Sequence, residues 1–346
     1  MKQSKRKLTA AFVTITLLLM ALASGCGNGA PSTKEGTEGL TYEPYEGSYV
    51  VTGYSGSDVD VVIPDTYNDV PVVKVDHEVF ANSDIQSIVL GKNVQKMGSH
   101  TFYGASMLKS ITITSEGIDM GEIEGCHSLE EINFSAGAYA TDIKLTDCSA
   151  IASIALPEGL EKASFSSCGM LENIELPEGV SEVFLGNCAA ISDVDFLPQG
   201  VATVYLHTCN GLTDVVLPDG LQEISIEKCE NLSSVQLPNT VSIISEMQNC
   251  PKLSSINLPD SLTEIRQFAF RNSTAIPELV IPASVTSVGS DAFFGFGSDQ
   301  KIVITGSTDS WDDFRQAWKE NRTIPNFNMT GYWGGNCDAQ IEYKNG

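Results

Sequence analysis

The sequence has few basic residues and no long apolar run beyond its N-terminus. Lys and Arg total 20 against 44 Asp and Glu, which gives a formal net charge of −24. Such an excess of acid disfavours nucleic acid, because its phosphates would repel the chain, and it disfavours electrostatic docking on anionic lipid. After the first 25 residues no stretch is apolar for long enough to cross a bilayer. We therefore expect neither a nucleic-acid partner nor a membrane-spanning fold.

Motifs for catalysis and metal binding are also lacking. The four histidines are scattered over the chain, and no H-E-x-x-H, G-x-S-x-G, phosphate loop or calcium loop occurs. The nine cysteines include no C-x-x-C pair, the spacing that metal sites commonly use. Carboxylates are so numerous that a chance pair at glycosidase spacing carries no weight. We predict that the protein is not an enzyme and holds neither a cofactor nor a metal.

The N-terminus has the features of an export signal. Four basic residues within the first seven positions precede an uncharged apolar run, Leu8 to Ala23, and small residues lead directly into Cys26. This is the pattern of a secretory signal, and its last residues resemble the lipobox of bacterial lipoproteins, although Ala23 replaces the usual Leu. The resemblance implies a signal peptide over residues 1–25 and a lipid on Cys26 that anchors the chain outside the cytoplasm, at the cell membrane or cell surface. A plain secretory signal and a retained anchor helix are the alternatives.

Residues 26–47 are rich in Gly, Ser, Thr, Pro and Glu and have little apolar surface to bury. This composition is typical of a flexible tether. We predict that the tether holds a folded part, beginning near residue 48, away from the membrane.

An internal repeat organises the folded part. Its general form is L-x-x-I-x-L-P-x-x-L-x-x-I-x-φ-x-x-C, where φ is apolar. Successive copies begin 20 to 23 residues apart, at Ile85, Leu108, Leu129, Ile151, Leu171, Ile191, Leu212, Leu232, Leu253 and Ile276. This period and pattern are the leucine-rich repeat signature, in which each coil gives a parallel strand and a return segment. Alternate apolar side chains then stack into one continuous interior. We predict a right-handed solenoid of about 11 coils over residues 48–305.

Finer details narrow the type of repeat. The first strand closes on L-P, and the outer coils carry V/I-G-x-x-A-F-x-x-C-like return segments with an aromatic residue at Phe80, Phe102, Phe270 and Phe293. These motifs resemble the BspA-like leucine-rich repeats of bacterial surface proteins, and the resemblance implies adhesion or host contact. Central coils between Ala163 and Cys229 lose about three residues and read φ-x-φ in the return segment. We predict a short-strand or 3-10 return face, with two parallel sheets in the middle of the solenoid.

Seven cysteines occupy one equivalent position of the repeat: Cys126, Cys148, Cys168, Cys188, Cys209, Cys229 and Cys250. Neighbouring Cα atoms would lie about 5 Å apart, a distance that a disulfide can span. Parallel side-chain directions make that bond awkward. We therefore expect a column of small buried thiols at the turns between strands.

The outward middle position of the φ-x-φ segment suggests a binding patch. Phe184 and Tyr205 would point away from the core on adjacent rungs, with His207 two residues beyond on the same face. Aromatic faces beside hydrogen-bonding groups suit a sugar ring or the apolar anchor of another protein. Stacking alone is the alternative role, because aromatic pairs on neighbouring strands stabilise sheets.

Residues 306–346 are expected to cap the open end of the solenoid. Asp309 or Ser310 can begin a helix in which Trp311, Phe314 and Trp318 share one face. That face would cover the exposed end of the last coil. A docking helix for a partner is the alternative.

Three functions are compatible with these features. The first is a monomeric, surface-anchored scaffold without enzymatic activity that binds a protein, as in adhesion. The second is a glycan-binding lipoprotein that captures polysaccharide on the aromatic row, and the third is a purely structural envelope component. We favour the first, although a repeat type does not by itself identify a ligand.

Overall fold

The computed structural model describes residues 35–306, 328–330 and 337–345. Within these ranges the chain forms strands joined by turns, and none of the described residues is helical. In chain order the strands are β1 (Leu40–Tyr45), β2 (Ser48–Tyr54), β3 (Asp60–Ile63), β4 (Thr66–Tyr67), β5 (Val70–Val75), β6 (Ser87–Leu90), β7 (Lys96–Met97), β8 (Ser110–Ile113), β9 (Glu122–Glu124), β10 (Glu131–Phe134), β11 (Asp142–Thr146), β12 (Ser153–Ala155), β13 (Lys162–Ser166), β14 (Asn173–Glu175), β15 (Glu182–Gly186), β16 (Thr203–His207), β17 (Asp214–Val216), β18 (Glu223–Glu227), β19 (Ser234–Gln236), β20 (Ile243–Gln248), β21 (Ser255–Ile256), β22 (Glu264–Ile265), β23 (Glu278–Ile281), β24 (Ser287–Gly289), β25 (Lys301–Gly306), β26 (Asn328–Thr330) and β27 (Gln340–Asn345).

The start of every repeat except the one at Ile191 forms a short strand, and we call these strands the first row. They pair in parallel in four groups, β3-β6-β8-β10, β12-β14, β17-β19-β21 and β23-β25-β27. The coil that begins at Ile191 has no first-row strand, because an extra residue, Phe196, precedes its L-P and the chain turns there, with Leu197 N–H donating to Val194 O. The solenoid has about twelve coils.

The return segments form a second sheet of ten parallel strands, in the order β9-β11-β13-β15-β16-β18-β20-β22-β24-β26. Its strands are five or six residues long from β11 to β20 and two or three residues long in β22, β24 and β26. The longer strands lie where the return segments read φ-x-φ, since this alternation places one apolar side chain on each side of an outward residue. The expected two-sheet middle of the solenoid is thus confirmed, and the return face is built of short strands.

The interior lies between the two sheets and is continuous from Val51 to Ile304. Phenylalanines of the outer coils stack on one another, with ring centroids 5.9 Å apart for Phe80 and Phe102 and 5.9 Å for Phe270 and Phe293. No single coil could bury these groups, so each coil is stabilised by its neighbours.

Part of the segment that the sequence suggested as a tether, residues 26–47, forms a strand. Strand β1 pairs antiparallel with β2, and Tyr42 stacks on Tyr67 with ring centroids 4.0 Å apart. Thr37 already contacts the solenoid, because its N–H donates to Val62 O and its Oγ1 accepts from Val62 N–H at 2.8 Å. Leu40 and Tyr42 therefore pack against the core, although both precede the boundary expected at residue 47.

The expected helical cap is not supported. The proposed helix around Trp311, Phe314 and Trp318 lies outside the described residues. The described part of the C-terminal region is strand: β26 pairs in parallel with β24, and β27 pairs in parallel with β25 over six residues. Both sheets thus gain another strand after β25, and the solenoid continues past residue 305.

Candidate binding face of the second sheet

Successive central strands place one side chain each on the outward face of the second sheet. The register aligns Lys144, Ser164, Phe184, Tyr205 and Ser225 across β11, β13, β15, β16 and β18. Their chain neighbours point inward and are buried, as alternation in a strand requires. This is the row that the sequence indicated.

Phe184, Tyr205 and His207 lie together at the centre of this face. The rings of Phe184 and Tyr205 are 6.3 Å apart and inclined by 41°, and the rings of His207 and Phe184 meet edge to face with centroids 5.3 Å apart. All three side chains are half-buried. The Phe184 ring also lies over Gly186, where a Cβ atom would come within 2.8 Å of Phe184 Cε1. The aromatic group is therefore an inclined ridge and not a flat, fully exposed platform.

A shallow depression lies on each side of the ridge. The one towards the N-terminal coils has a volume of about 520 Å³ and is lined by Lys144, Lys162 and Glu182. The one towards the C-terminal coils has a volume of about 550 Å³ and is lined by Glu223 and Arg266 among others. Tyr205 borders both. The first depression thus offers the Phe184 and Tyr205 rings with charged groups beside them, a common arrangement in binding surfaces, whereas the second is lined mostly by polar and charged side chains.

Most charges near the first depression pair within the protein. Lys162 Nζ lies 3.0 Å from Glu182 Oε2, and Lys144 Nζ lies 2.9 Å from Glu122 Oε2. Partial burial alone would raise the pKa of Glu122, but hydrogen bonds from Lys144 and Thr146 hold it below its usual value. Ion pairs of this kind contribute more to the specificity and orientation of a bound ligand than to its affinity.

The second depression is crossed by an arginine that the repeat pattern did not single out. Arg266 Nη1 lies 2.6 Å from Glu223 Oε1 and 2.8 Å from Ser245 Oγ, and its Nε lies 3.4 Å from Glu264 Oε1. These contacts link three successive coils. Burial, with Glu223 and Glu182 nearby, raises the pKa of Tyr205, so its hydroxyl stays a hydrogen-bond donor at neutral pH.

His207 lies between two carboxylates. Its Nδ1 is 4.0 Å from Glu227 Oε2, and its Nε2 is 3.8 Å from Glu246 Oε2 and 3.4 Å from Ser225 Oγ. Glu246 could not be placed from the sequence, because a bulge between Ile224 and Ser225 on the paired strands shifts the register by one residue and aligns Ser225 with Glu246.

The cysteines form the expected buried column. The seven repeat cysteines are all fully buried free thiols. Six of them donate to a carbonyl of the preceding coil, for example Cys209 Sγ to Leu185 O at 3.5 Å, and Ser273 makes the equivalent contact with Met247 O. Burial raises the pKa of Cys168 to about 12 and that of Cys188 to about 11. Cys168 and Cys188 are therefore packed thiols and poor nucleophiles.

A second aromatic group was missed by the sequence analysis. Tyr139 is 50% exposed and lies against Gly117, where a Cβ atom would come within 2.5 Å of the tyrosine ring. It lines a depression of about 930 Å³ with Lys92 and Asp119. Tyr139 falls between the repeat positions, so no periodic signal marks it.

The first row presents a different surface. Its outward residues include Ala155, Glu175, Val216 and Gln236, and Asp195 and Asn257 are exposed at the equivalent positions of two further coils. Val216 is the most exposed of its large apolar groups, at 58%. The expected lipidation site, Cys26, lies outside the described residues. Among the described residues, no helix is long and apolar enough to span a membrane.

Comparison with known proteins identifies the repeat type. The chain matches the family described as "BspA type Leucine rich repeat region (6 copies)" over residues 73–191 and 199–315, which is more than half of its length. No curated protein matches the chain in sequence.

Solved structures with a similar course of the chain have low identity to it. A leucine rich cell surface protein from Faecalibacterium prausnitzii A2-165 is 19% identical, with 92% of this chain and 96% of that chain covered and a TM-score of 0.46. A leucine-rich repeat protein from Bacteroides ovatus ATCC 8483 is 18% identical, with 79% and 88% covered and a TM-score of 0.44. The pneumococcal vaccine antigen PcpA is 15% identical, with 91% and 100% covered and a TM-score of 0.41.

Proposed function

The chain belongs to the BspA-type leucine-rich repeat family, and from this premise we propose that it is a lipid-anchored, extracytoplasmic binding scaffold without enzymatic activity. Its N-terminus supports the location, because a basic segment, an apolar run and small residues lead into Cys26. Acylation of Cys26 would attach the solenoid to the outer side of a membrane. The role is adhesion or another protein–protein interaction.

The inclined aromatic ridge on the second sheet is the observation that carries this proposal. A sugar ring stacks best on one flat aromatic face, whereas Phe184 and Tyr205 are half-buried and inclined by 41°. A protein side chain can instead enter the depression on either side of the ridge and contact a ring edge or face. Apolar anchors surrounded by polar groups commonly dominate protein interfaces, so we favour a protein ligand over a glycan.

The test is a binding comparison with purified residues 27–346, a fragment that keeps Thr37 and Leu40 and omits Cys26. The fragment is presented to mucin, matrix proteins and a polysaccharide panel as wild type and as F184A/Y205A. The matched control is V216A/V280A, which removes exposed apolar groups from the first row. Circular dichroism checks that each variant is folded.

We expect a protein ligand whose affinity falls at least tenfold in F184A/Y205A and is unchanged in V216A/V280A. Equal protein binding by wild type, F184A/Y205A and V216A/V280A would contradict a ligand-binding role of the second sheet. Polysaccharide binding that only F184A/Y205A loses would replace the protein ligand by a glycan.

A further inference from the structure

We propose that His207, Glu227 and Glu246 form a binding site for a divalent transition-metal cation, with Zn²⁺ as the representative ion. The site lies at the edge of the aromatic ridge, but it does not depend on the proposed protein ligand. It revises the expectation from the sequence that the chain holds no metal.

Three adjacent strands bring these side chains together. Strands β16, β18 and β20 contribute His207, Glu227 and Glu246, and one ligand atom of each lies within 4.8 Å of those of the other two. Tetrahedral Zn²⁺ with bonds of about 2.0–2.1 Å needs its ligand atoms about 3.4 Å apart. His207 Nε2 lies 3.8 Å from Glu246 Oε2, and the other ring nitrogen, Nδ1, lies 4.0 Å from Glu227 Oε2. Only one of these nitrogens can bind the ion, so the separation that must close is the one of up to 4.8 Å. Closing a separation of 4.8 Å to about 3.4 Å takes a combined movement of about 1.4 Å, which rotation of these half-buried side chains would supply.

Neighbouring groups already orient both carboxylates. Glu227 Oε1 pairs with Lys228 Nζ at 2.7 Å, and Glu246 Oε1 accepts from Gln248 Nε2 at 3.0 Å. In both residues Oε2 is the oxygen that faces His207, and Glu246 Oε2 also accepts from Ser225 Oγ at 3.0 Å. Groups outside the ligand set that fix ligand orientation are a general feature of metal sites, and they raise affinity.

The donor set selects the class of cation. One imidazole and two carboxylates suit Zn²⁺ and its first-row neighbours, whereas Mg²⁺ and Ca²⁺ prefer oxygen ligands alone. Three protein ligands leave at least one coordination position for water or for a group from a ligand. The strongly acidic chain, with a formal charge of −24, also attracts cations to its surface.

The site is tested by calorimetric titration of Zn²⁺ into residues 27–346 after treatment with a chelator. H207A and E246Q remove one ligand each. H100A is the matched control, because His100 is a surface histidine beside a carboxylate, Glu124 at 3.9 Å, and belongs to no three-residue cluster of this kind among the described residues. Circular dichroism checks that each form is folded, and Co²⁺ absorption shows whether thiolates take part.

We expect one Zn²⁺ per chain, at least tenfold weaker binding in H207A and in E246Q, and a change of less than twofold in H100A. The Co²⁺ form should lack thiolate charge-transfer absorption, and Mg²⁺ and Ca²⁺ should not compete at equal concentration. Absence of stoichiometric Zn²⁺ binding, unchanged binding in H207A, or a thiolate signature would overturn the assignment.

Discussion

Replacing Gly186 by Ala should displace the aromatic ridge without removing any aromatic ring. A Cβ atom at this position would lie 2.8 Å from Phe184 Cε1 and 3.1 Å from Cζ, while its next contact, Ser166 Oγ, is at 3.5 Å. Carbon atoms in normal contact are about 3.5–4.0 Å apart, so the Phe184 ring must move by about 1 Å. Gly186 is not in the left-handed backbone region, and alanine therefore fits the strand.

The two effects on stability should nearly cancel. Alanine stabilises a strand interior by about 0.5–1 kcal/mol relative to glycine, and the displaced ring loses part of its contact with His207. We expect the free energy of unfolding in urea to change by less than about 1 kcal/mol.

The displacement is measured through the NMR signals of the histidine rings. The chain has four histidines, and the His207 ring meets the Phe184 ring edge to face with centroids 5.3 Å apart. In G186A the ring-proton signals of His207 should shift, because the ring current of Phe184 moves, and those of the other three histidines should not. Unchanged His207 signals, or a loss of more than about 3 kcal/mol, would refute this description of the ridge.

Three further predictions concern the core, the thiol column and the ion pair between Lys74 and Asp76. Phe165→Ala should lower the free energy of unfolding in urea by about 3–5 kcal/mol, because Phe165 is fully buried. Phe184→Ala should lower it by less than about 2 kcal/mol. Equal losses would contradict the placement of Phe165 on the inner side of the sheet and Phe184 on the outer side. Cys209→Ser should have a higher free energy of unfolding than Cys209→Ala, since a hydroxyl can still donate to Leu185 O, which the thiol contacts. The reverse order of stability would show that this hydrogen bond contributes nothing. A hydrogen bond from Lys74 lowers the pKa of Asp76, so the stabilising contribution of the Asp76 carboxylate is complete above the unfolded pKa of about 3.9 and is lost as the pH falls through the folded pKa. K74M should reduce this acid-induced loss of stability. Identical dependence of the free energy of unfolding on pH in K74M and wild type would contradict a stabilising role of this ion pair.

The coil architecture was predictable because the repeat constrains it many times over. A position such as Cys188 recurs at 20 to 23 residue intervals, and only a stacked arrangement buries every copy. The second sheet was predictable from the repeat as well, because φ-x-φ in the short return segments places one outward residue between two buried ones, as in a strand. Phe184 and Tyr205 were therefore assigned to adjacent rungs correctly.

Features outside the periodic positions were not predictable in this way. The inclination of the Phe184 ring depends on the missing Cβ of Gly186, and Glu246 reaches His207 through a register shift. Arg266 contacts Glu223 across 43 positions of sequence, which no local pattern encodes. Strand β27 (Gln340–Asn345) was not predicted, because the helical spacing of aromatic residues earlier in the C-terminal region favours a helical cap.

Carboxyl footprinting of residues 27–346, with and without the bound protein ligand, tests the proposed binding face most directly. Glu182 and Glu223 border the ridge, whereas Glu175 and Asp214 are exposed on the first row. We predict that the ligand slows labelling of Glu182 and Glu223 and leaves Glu175 and Asp214 unchanged. Protection of Glu175 and Asp214 alone would place the ligand on the first row and contradict the proposal.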